Sequence, residues 1–365
     1  MQTKTEESPT RERKRGDRIK VGVVGATGMV GQRFVQLLSD HPWFELTAVA
    51  ASSSSAGKSY KEAVDWKVSP EIPQKARELT VGESAPPLDC ELVFSSLPGS
   101  VAGEVEEEFA RAGYPLFSNA SSHRMDRLIP LVIPEVNPDH LGLIEGQKEE
   151  RGWSGFIVNN PNCSAVGLTM VLKPLQIRFG LEKVMVVTQQ ALSGAGYPGE
   201  ASLDMVGNVL PSISGEEEKL ATEPLKMLGS LREGGIERAE IAISPQCSRV
   251  NVADGHLETI SFALKKEVGL EDVKRSFSSF RPETEKLDLP SSPKKALVLL
   301  EGDDRPQPRL DVERGAGMST SIGRVRECPV LDYKLVLLSH NTIRGAAGGS
   351  LLNAELAWRR GYLND

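Results

Sequence analysis

Cysteine is scarce, with four in 365 residues at Cys90, Cys163, Cys247 and Cys328. They lie too far apart for a disulfide framework, and none makes the C-x-x-C spacing of a zinc or redox pair. No metal site is therefore expected. No apolar run approaches the roughly 18–20 residues that a membrane helix needs. Basic residues are in deficit, 43 Lys and Arg against 50 Asp and Glu for a net charge of −7, which argues against a nucleic-acid partner. Met1 to Arg18 is charged throughout and lacks the apolar core of a secretory signal. These absences point to a cytoplasmic protein, with residues 1–18 expected as a disordered tail.

What remains is ordinary for a globular chain, 39% hydrophobic and 25% charged, and long enough for two domains. Its centre is the stretch Asn159-Asn160-Pro161-Asn162-Cys163-Ser164. Ahead of it, Gly155-Phe156-Ile157-Val158 suits a buried strand. Behind it, Ala165, Leu168, Leu172 and Leu175 recur at helical spacing, so a helix should open near Cys163, with Asn162 or Ser164 as cap. A cysteine there meets unpaired N–H groups and the positive end of the helix dipole, which favour the thiolate, the nucleophilic form. The other reading of the same turn is a small apolar filler.

The first half reads as a dinucleotide site. Ile19 to Val24 is a β-branched strand leading into Gly25-Ala26-Thr27-Gly28-Met29-Val30-Gly31, followed by Phe34, Leu37 and Leu38 at helical spacing. Strand, glycine turn and amphipathic helix together are the context in which backbone N–H groups cradle a pyrophosphate. A second strand, Glu45 to Ala50, runs into Ala51-Ser52-Ser53-Ser54-Ser55-Ala56-Gly57-Lys58 without the carboxylate that would hold a ribose 2′-hydroxyl. Hydroxyls and a lysine suit a 2′-phosphate, so NADP is favoured over NAD; a plain surface loop is the alternative. Leu92 to Leu97 gives a later strand ending at Ser96, where the middle of a cofactor would pass. Tyr114 to Arg124 repeats strand, small polar residues and a cation. Arg124 is either an anion ligand or a surface arginine.

In the second half, Val184 to Ala191 alternates as a strand and ends in the glycine-rich Leu192-Ser193-Gly194-Ala195-Gly196, either a ligand-contacting loop or a tight turn. Ser214 onward opens a helix expected to reach about Leu231, with Glu216 and Lys219 on one face. Ile241–Ser244 and Leu257–Phe262 are strand candidates around Cys247 to His256. Arg249 and His256 are seven apart, which on one regular strand puts them on opposite faces; a turn at Asp254-Gly255 would bring both to one side. With a cysteine nucleophile elsewhere, His256 is the candidate general base. Lys334–Ser339 is another strand, and Leu352, Leu356 and Trp358 mark a closing helix expected to return to the dinucleotide domain.

Taken together, Gly25–Gly31, Pro161-Asn162-Cys163-Ser164, Gln190–Gly196, Gly215-Glu216-Glu217-Glu218-Lys219 and Asp254-Gly255-His256 resemble aspartate-β-semialdehyde dehydrogenases of the archaeal and fungal branch. The resemblance implies an α/β fold, with a Rossmann-type parallel sheet over residues 19–160 plus 342–365 and an α+β catalytic and dimerisation domain over 161–341. It implies an NADP-dependent enzyme, homodimeric or homotetrameric, that reduces β-aspartyl phosphate to the semialdehyde. Cys163 matches the nucleophile, His256 the acid/base, and Gln190 the residue positioning the thioacyl intermediate. Arg249 matches the substrate-carboxylate ligand, Glu216 the group near the substrate ammonium, and Arg124, Asn162 and Lys219 the phosphate-holding set. Asn341 matches an asparagine beside the nicotinamide, with Ser193 and Gly194 also on the cofactor side. Leu257 departs from the pattern, which has threonine after the histidine. Malonyl-CoA and N-acetyl-glutamyl-phosphate reductases are the alternatives on the same scaffold, and a non-catalytic NADP sensor a third.

Overall fold

The structure, a computed structural model, describes residues 18–68 and 70–363. The tail expected over residues 1–18 falls outside this range except for Arg18.

Strands β1 (Ile19–Val24), β2 (Phe44–Ala51), β3 (Val81–Glu83), β4 (Leu92–Ser95), β5 (Pro115–Ser118) and β6 (Phe156–Asn159) form one parallel sheet in the order 3-2-1-4-5-6. The central strands β1, β4 and β5 are short and mostly apolar and buried, as strands covered on both faces must be, whereas the edge strand β3 buries only Val81. The order reverses between β1 and β4, and at such a switch point the carboxyl ends of the strands leave a crevice. Helix α1 (Met29–Leu38) follows β1, and α2 (Gly99–Arg111) follows β4. Phe34, Phe44, Phe94 and Phe117 stack through this core.

The second sheet is mixed. It contains β7 (Leu181–Gln190), β10 (Ala242–Arg249), β11 (His256–Leu264), β12 (Leu297–Leu299), β13 (Thr320–Glu327) and β14 (Tyr333–Ser339), in the order 10-7-11-14-13-12. A separate hairpin joins β8 (Ser230–Arg232) to β9 (Gly235–Glu237). The sheet's inner face packs on α3 (Cys163–Phe179), where Leu168, Leu172 and Leu175 meet Val184, Val186, Ile260, Phe262, Leu335 and Leu337. Burying one such leucine is worth roughly 1.5–3 kcal/mol. From Ser164 to Leu172 the helix is buried on every side, so it runs through the interior, carrying Cys163 at its first turn. Helix α4 (Glu216–Met227) lies beside it. Helix α5 (Gly348–Arg359) closes the chain, and its Leu351, Leu352, Leu356 and Ala357 share a core with Ile19, Val21 and Phe34 of the first sheet.

Three expectations need correction. β10 does not end at Ser244 but continues through Pro245 to Arg249. It is an edge strand of the sheet, bonded at Pro245 only to β7, so the missing proline N–H breaks no second ladder; its far end, Arg249, also bridges Leu210. Arg249 and His256 therefore do not share a strand. One ends β10 and the other begins β11, on either side of β7, so the parity argument does not apply. The helix expected from Ser214 to Leu231 is shorter, because Gly215 takes the left-handed conformation (φ 70°) and ends it on the N-terminal side. Strands β12 and β13 had no readable period, since Thr320 and Ser321 are buried polar residues.

Candidate active site

A cleft of about 540 Å³ runs from the glycine turn after β1 to Arg124, in the loop after β5, and Arg249, at the end of β10. Its floor is Cys163. Asn162 caps α3, its side-chain oxygen accepting from Ser164 N (3.0 Å) and Ala165 N (3.2 Å). The sulfur is half-buried and stands 3.2 Å from His256 Nε2. His256 is wholly buried and its Nδ1 accepts the Ala191 N–H at 3.1 Å. Burial lowers its pKa to about 3, with Arg249 and His340 adding to the effect. The ring is thus neutral, and because Nδ1 is an acceptor its single proton sits on Nε2, aimed at the sulfur. Leu257, the departure noted above, does not matter for this geometry: the backbone of Ala191 orients the imidazole, and Leu257 lies on the other face of β11.

Burial works against the expected thiolate. Burial pushes the Cys163 thiol up to about 12, and Glu216 pushes the same way, against Arg124, Arg249 and a backbone hydrogen bond at Ser164. Desolvation penalises a charged sulfur by more than one helix terminus returns.

Glu216 is the hub of the polar wall. Its carboxylate accepts from Lys219 Nζ (2.7 Å), Asn162 Nδ2 (2.8 Å) and Gln190 Nε2 (3.3 Å). Burial works against its charge, but these donors outweigh it and hold the carboxyl below its ordinary range. Arg249 is 3% exposed; its Nη1 donates to Ala191 O (3.0 Å) and its Nε lies 3.6 Å from Glu200. Arg124 donates to Glu223 (3.1 Å) and to Asn119 O (2.7 Å), so it is not a surface arginine. Gly194 packs against Arg249 and His256, with Arg249 Nη1 2.9 Å and His256 Cε1 3.0 Å from where a Cβ would stand.

On the other side of the cleft, Gly28, Met29, Val30, Ser96, Ser193 and Asn341 line the wall. Gly25 adopts φ +73°, and a Cβ there would lie 2.8 Å from Ser96 O, so only glycine serves. At Gly28 the nearest atom to such a Cβ is 3.5 Å away, and the first turn of α1 carries no acid and no side-chain cap. Its N–H groups and dipole are therefore open to an anionic ligand. Thr27 O accepts from Gln32, and Ser96 Oγ donates to Val24 O and Gly25 O, steadying the turn. Asn341 bridges Ser193 Oγ (2.8 Å) and the Gly255 N–H (2.9 Å), linking the glycine-rich loop to the turn before His256. Ser52 and Ser53 follow the carboxyl end of β2 and Lys58 comes after the turn beyond them; none of the three lines the cleft, and Lys58 Nζ donates to Ser54 O (2.9 Å).

Three residues escaped the sequence reading. Glu223 and Lys226 continue the Glu216–Lys219 face of α4 by further steps of four and three, a spacing that would have flagged them. Gly345 left no signal, because its role is a contact across the fold. A Cβ there would stand 2.8 Å from both Cα and Cβ of Cys163. Backbone cannot yield as a side-chain tip can, so Gly345→Ala is expected to displace the Cys163 turn and lower kcat by about 100-fold. Steady-state kinetics beside a melting curve checks this.

Among the described residues no three His, Cys, Asp or Glu side chains gather as a metal site requires, and no helix is long and apolar enough to cross a membrane. Family models match twice: "Semialdehyde dehydrogenase, NAD binding domain" over residues 20–144 and "Semialdehyde dehydrogenase, dimerisation domain" over 172–344. The aspartate-semialdehyde dehydrogenase of Archaeoglobus fulgidus is 53% identical over 93% of this chain and 98% of its own. That of Aspergillus fumigatus is 46% identical, covering 94% and 98%. A crystal structure of the Candida albicans aspartate semialdehyde dehydrogenase with NADP superposes with a TM-score of 0.87 at 41% identity, over 94% of this chain and 99% of that one.

Proposed function

The chain belongs to the aspartate-semialdehyde dehydrogenase family, oxidoreductases of amino-acid biosynthesis, and from that premise we propose that it reduces β-aspartyl phosphate to the semialdehyde and phosphate, reversibly, through a thioester on Cys163. The observation that carries this reading is the 3.2 Å contact of Cys163 Sγ with His256 Nε2 at the floor of a cleft with a glycine turn at one end and buried arginines at the other.

Cys163 attacks the acyl carbon, the carbon–oxygen bond to phosphate breaks, the thiol proton leaves with the phosphate as hydrogen phosphate, and a thioester remains. His256 is a hydrogen-bond donor throughout: its Nε2–H steadies the sulfur as charge grows and then the oxygen that becomes anionic at the reacting carbon, which takes its proton from solvent. With Nδ1 committed to Ala191, the ring remains a donor rather than a base that takes the thiol proton. Gln190 lies beside Glu216 at the cleft wall and holds the acyl group. Arg249 binds the substrate carboxylate, whose charge then replaces the distant contact to Glu200. Glu216 meets the substrate ammonium, and Arg124, Lys219 and Asn162 meet the phosphate.

NADPH, when bound, supplies the hydride. Gly25, Thr27, Gly28, Met29 and Val30 would cradle its pyrophosphate, Ser96 its middle, and Ser193, Gly194 and Asn341 its nicotinamide. Ser52, Ser53 and Lys58 would take the 2′-phosphate, supported by the absence of a carboxylate at the end of β2. Residues 19–160 with 342–365 act as the cofactor domain and 161–341 as the catalytic and dimerisation domain. The outer face of the second sheet exposes Met185 and Val187, 52% and 45% accessible, which suits a homodimer contact or a homotetramer built on it.

The test offers β-aspartyl phosphate, N-acetyl-glutamyl phosphate and malonyl-CoA side by side, each with NADPH and NADH. Oxidation of NADPH that requires β-aspartyl phosphate is expected. Turnover of malonyl-CoA alone would reverse the assignment, and Glu216 argues against it, since neither alternative substrate offers a free ammonium.

A further inference from the structure

The reading above uses the first two residues of the polar face of α4 and leaves the next two idle. Glu216, Lys219, Glu223 and Lys226 follow at intervals of three, four and three, one stripe along the helix. Glu223 is 2% exposed and Lys226 3%, depths at which charged side chains need full partnership. Both have it. Glu223 Oε1 accepts from Arg124 Nη1 (3.1 Å), and Oε2 accepts the backbone N–H of Asn162 (2.6 Å), the residue capping the Cys163 helix. Lys226 Nζ donates to three main-chain carbonyls, Arg124 (2.8 Å), Asp126 (2.6 Å) and Ile129 (2.8 Å).

Arg124 is therefore held twice by one helix, by its guanidinium through Glu223 and by its backbone through Lys226. Asn162 is likewise held twice, by its side chain through Glu216 and by its N–H through Glu223. With one guanidinium nitrogen on Glu223 and another on Asn119 O, the buried Arg124 Nε has no hydrogen-bond partner among the described residues. A buried donor without a partner is what an anion site keeps for its ligand.

We propose that Glu223 and Lys226 are positioning residues of the phosphate site: they fix Arg124 and the Asn162 turn relative to the sulfur, so the leaving phosphate meets donors already in place. This rests on the reading of Arg124 as a phosphate ligand. A purely electrostatic view predicts the opposite sign, because Glu223 neutralises Arg124 and its removal should then strengthen anion binding.

The experiment follows the reverse reaction, NADP+ reduction by aspartate semialdehyde and inorganic phosphate, in Glu223→Gln and Lys226→Met. Positioning predicts that KM for phosphate rises about 10- to 100-fold in each variant, with KM for NADP+ unchanged, and that Lys226→Arg recovers part of the loss. A lower KM for phosphate, an unchanged one, or equal changes for phosphate and NADP+ would overturn the proposal. Should Glu223→Gln not fold, Glu223→Asp, one methylene shorter, is read in the same way, and a wild-type KM there also overturns it. Absence of phosphate-dependent turnover in the unmodified protein would instead sink the functional reading itself.

Discussion

Cys163→Ala is expected to abolish turnover, by about 10⁴-fold or more, while leaving NADP+ affinity and the melting temperature close to those of the unmodified chain. Among the described residues the hydrogen-bond partner of the sulfur is an imidazole whose proton already points at it, not a second nucleophile. The substitution removes one sulfur atom and leaves the Asn162 cap and the backbone of the turn in place. A further consequence concerns pH. With the thiol pushed up to about 12 by burial and by Glu216, the thiolate fraction in the free enzyme is small at neutral pH and grows tenfold per pH unit. Alkylation of Cys163 by iodoacetamide should rise accordingly from pH 7 to 9 without a plateau. A plateau below pH 8 would mean that the helix terminus and the Nε2–H outweigh desolvation, contrary to the ordering argued here.

The second large effect is expected at His256. His256→Gln replaces a donor held 3.2 Å from the sulfur by a flexible amide that Ala191 no longer orients, so kcat should fall by about 10²- to 10³-fold with little change in KM for β-aspartyl phosphate. The acid limb of kcat/KM follows from the same geometry. Burial lowers the imidazole pKa to about 3, so the ring gains its second proton only near that pH. No inflection near the ordinary imidazole value of 6.5 is expected from it, and activity should persist down through pH 6 and 5 as far as the protein stays folded. An inflection near pH 6.5 in the native enzyme that vanishes in His256→Gln would show the ring to be far more hydrated than its burial implies.

The chain's own order of residues determined a good deal. The strand and glycine turn from Ile19 to Gly31, the strand before Asn159 and the helix opening at Cys163 are local features, set by apolar period, capping residues and backbone permissiveness, and each formed where its residues dictate. The Glu216 and Lys219 pair is equally local, being one turn of helix. What decided the chemistry was not local. Arg249 and His256 converge because β10 and β11 flank β7, a pairing that no spacing along the chain specifies. The protonation of the sulfur and the ring depends on how much water the folded cleft excludes, and that exclusion opposes the thiolate inferred from the helix terminus alone. Gly345 against Cys163, Ala191 against His256 and Glu223 against Arg124 are contacts between residues 182, 65 and 99 positions apart. A sequence fixes which groups are available and the short-range conformations they prefer; desolvation and long-range contact exist only once the two sheets have closed around α3.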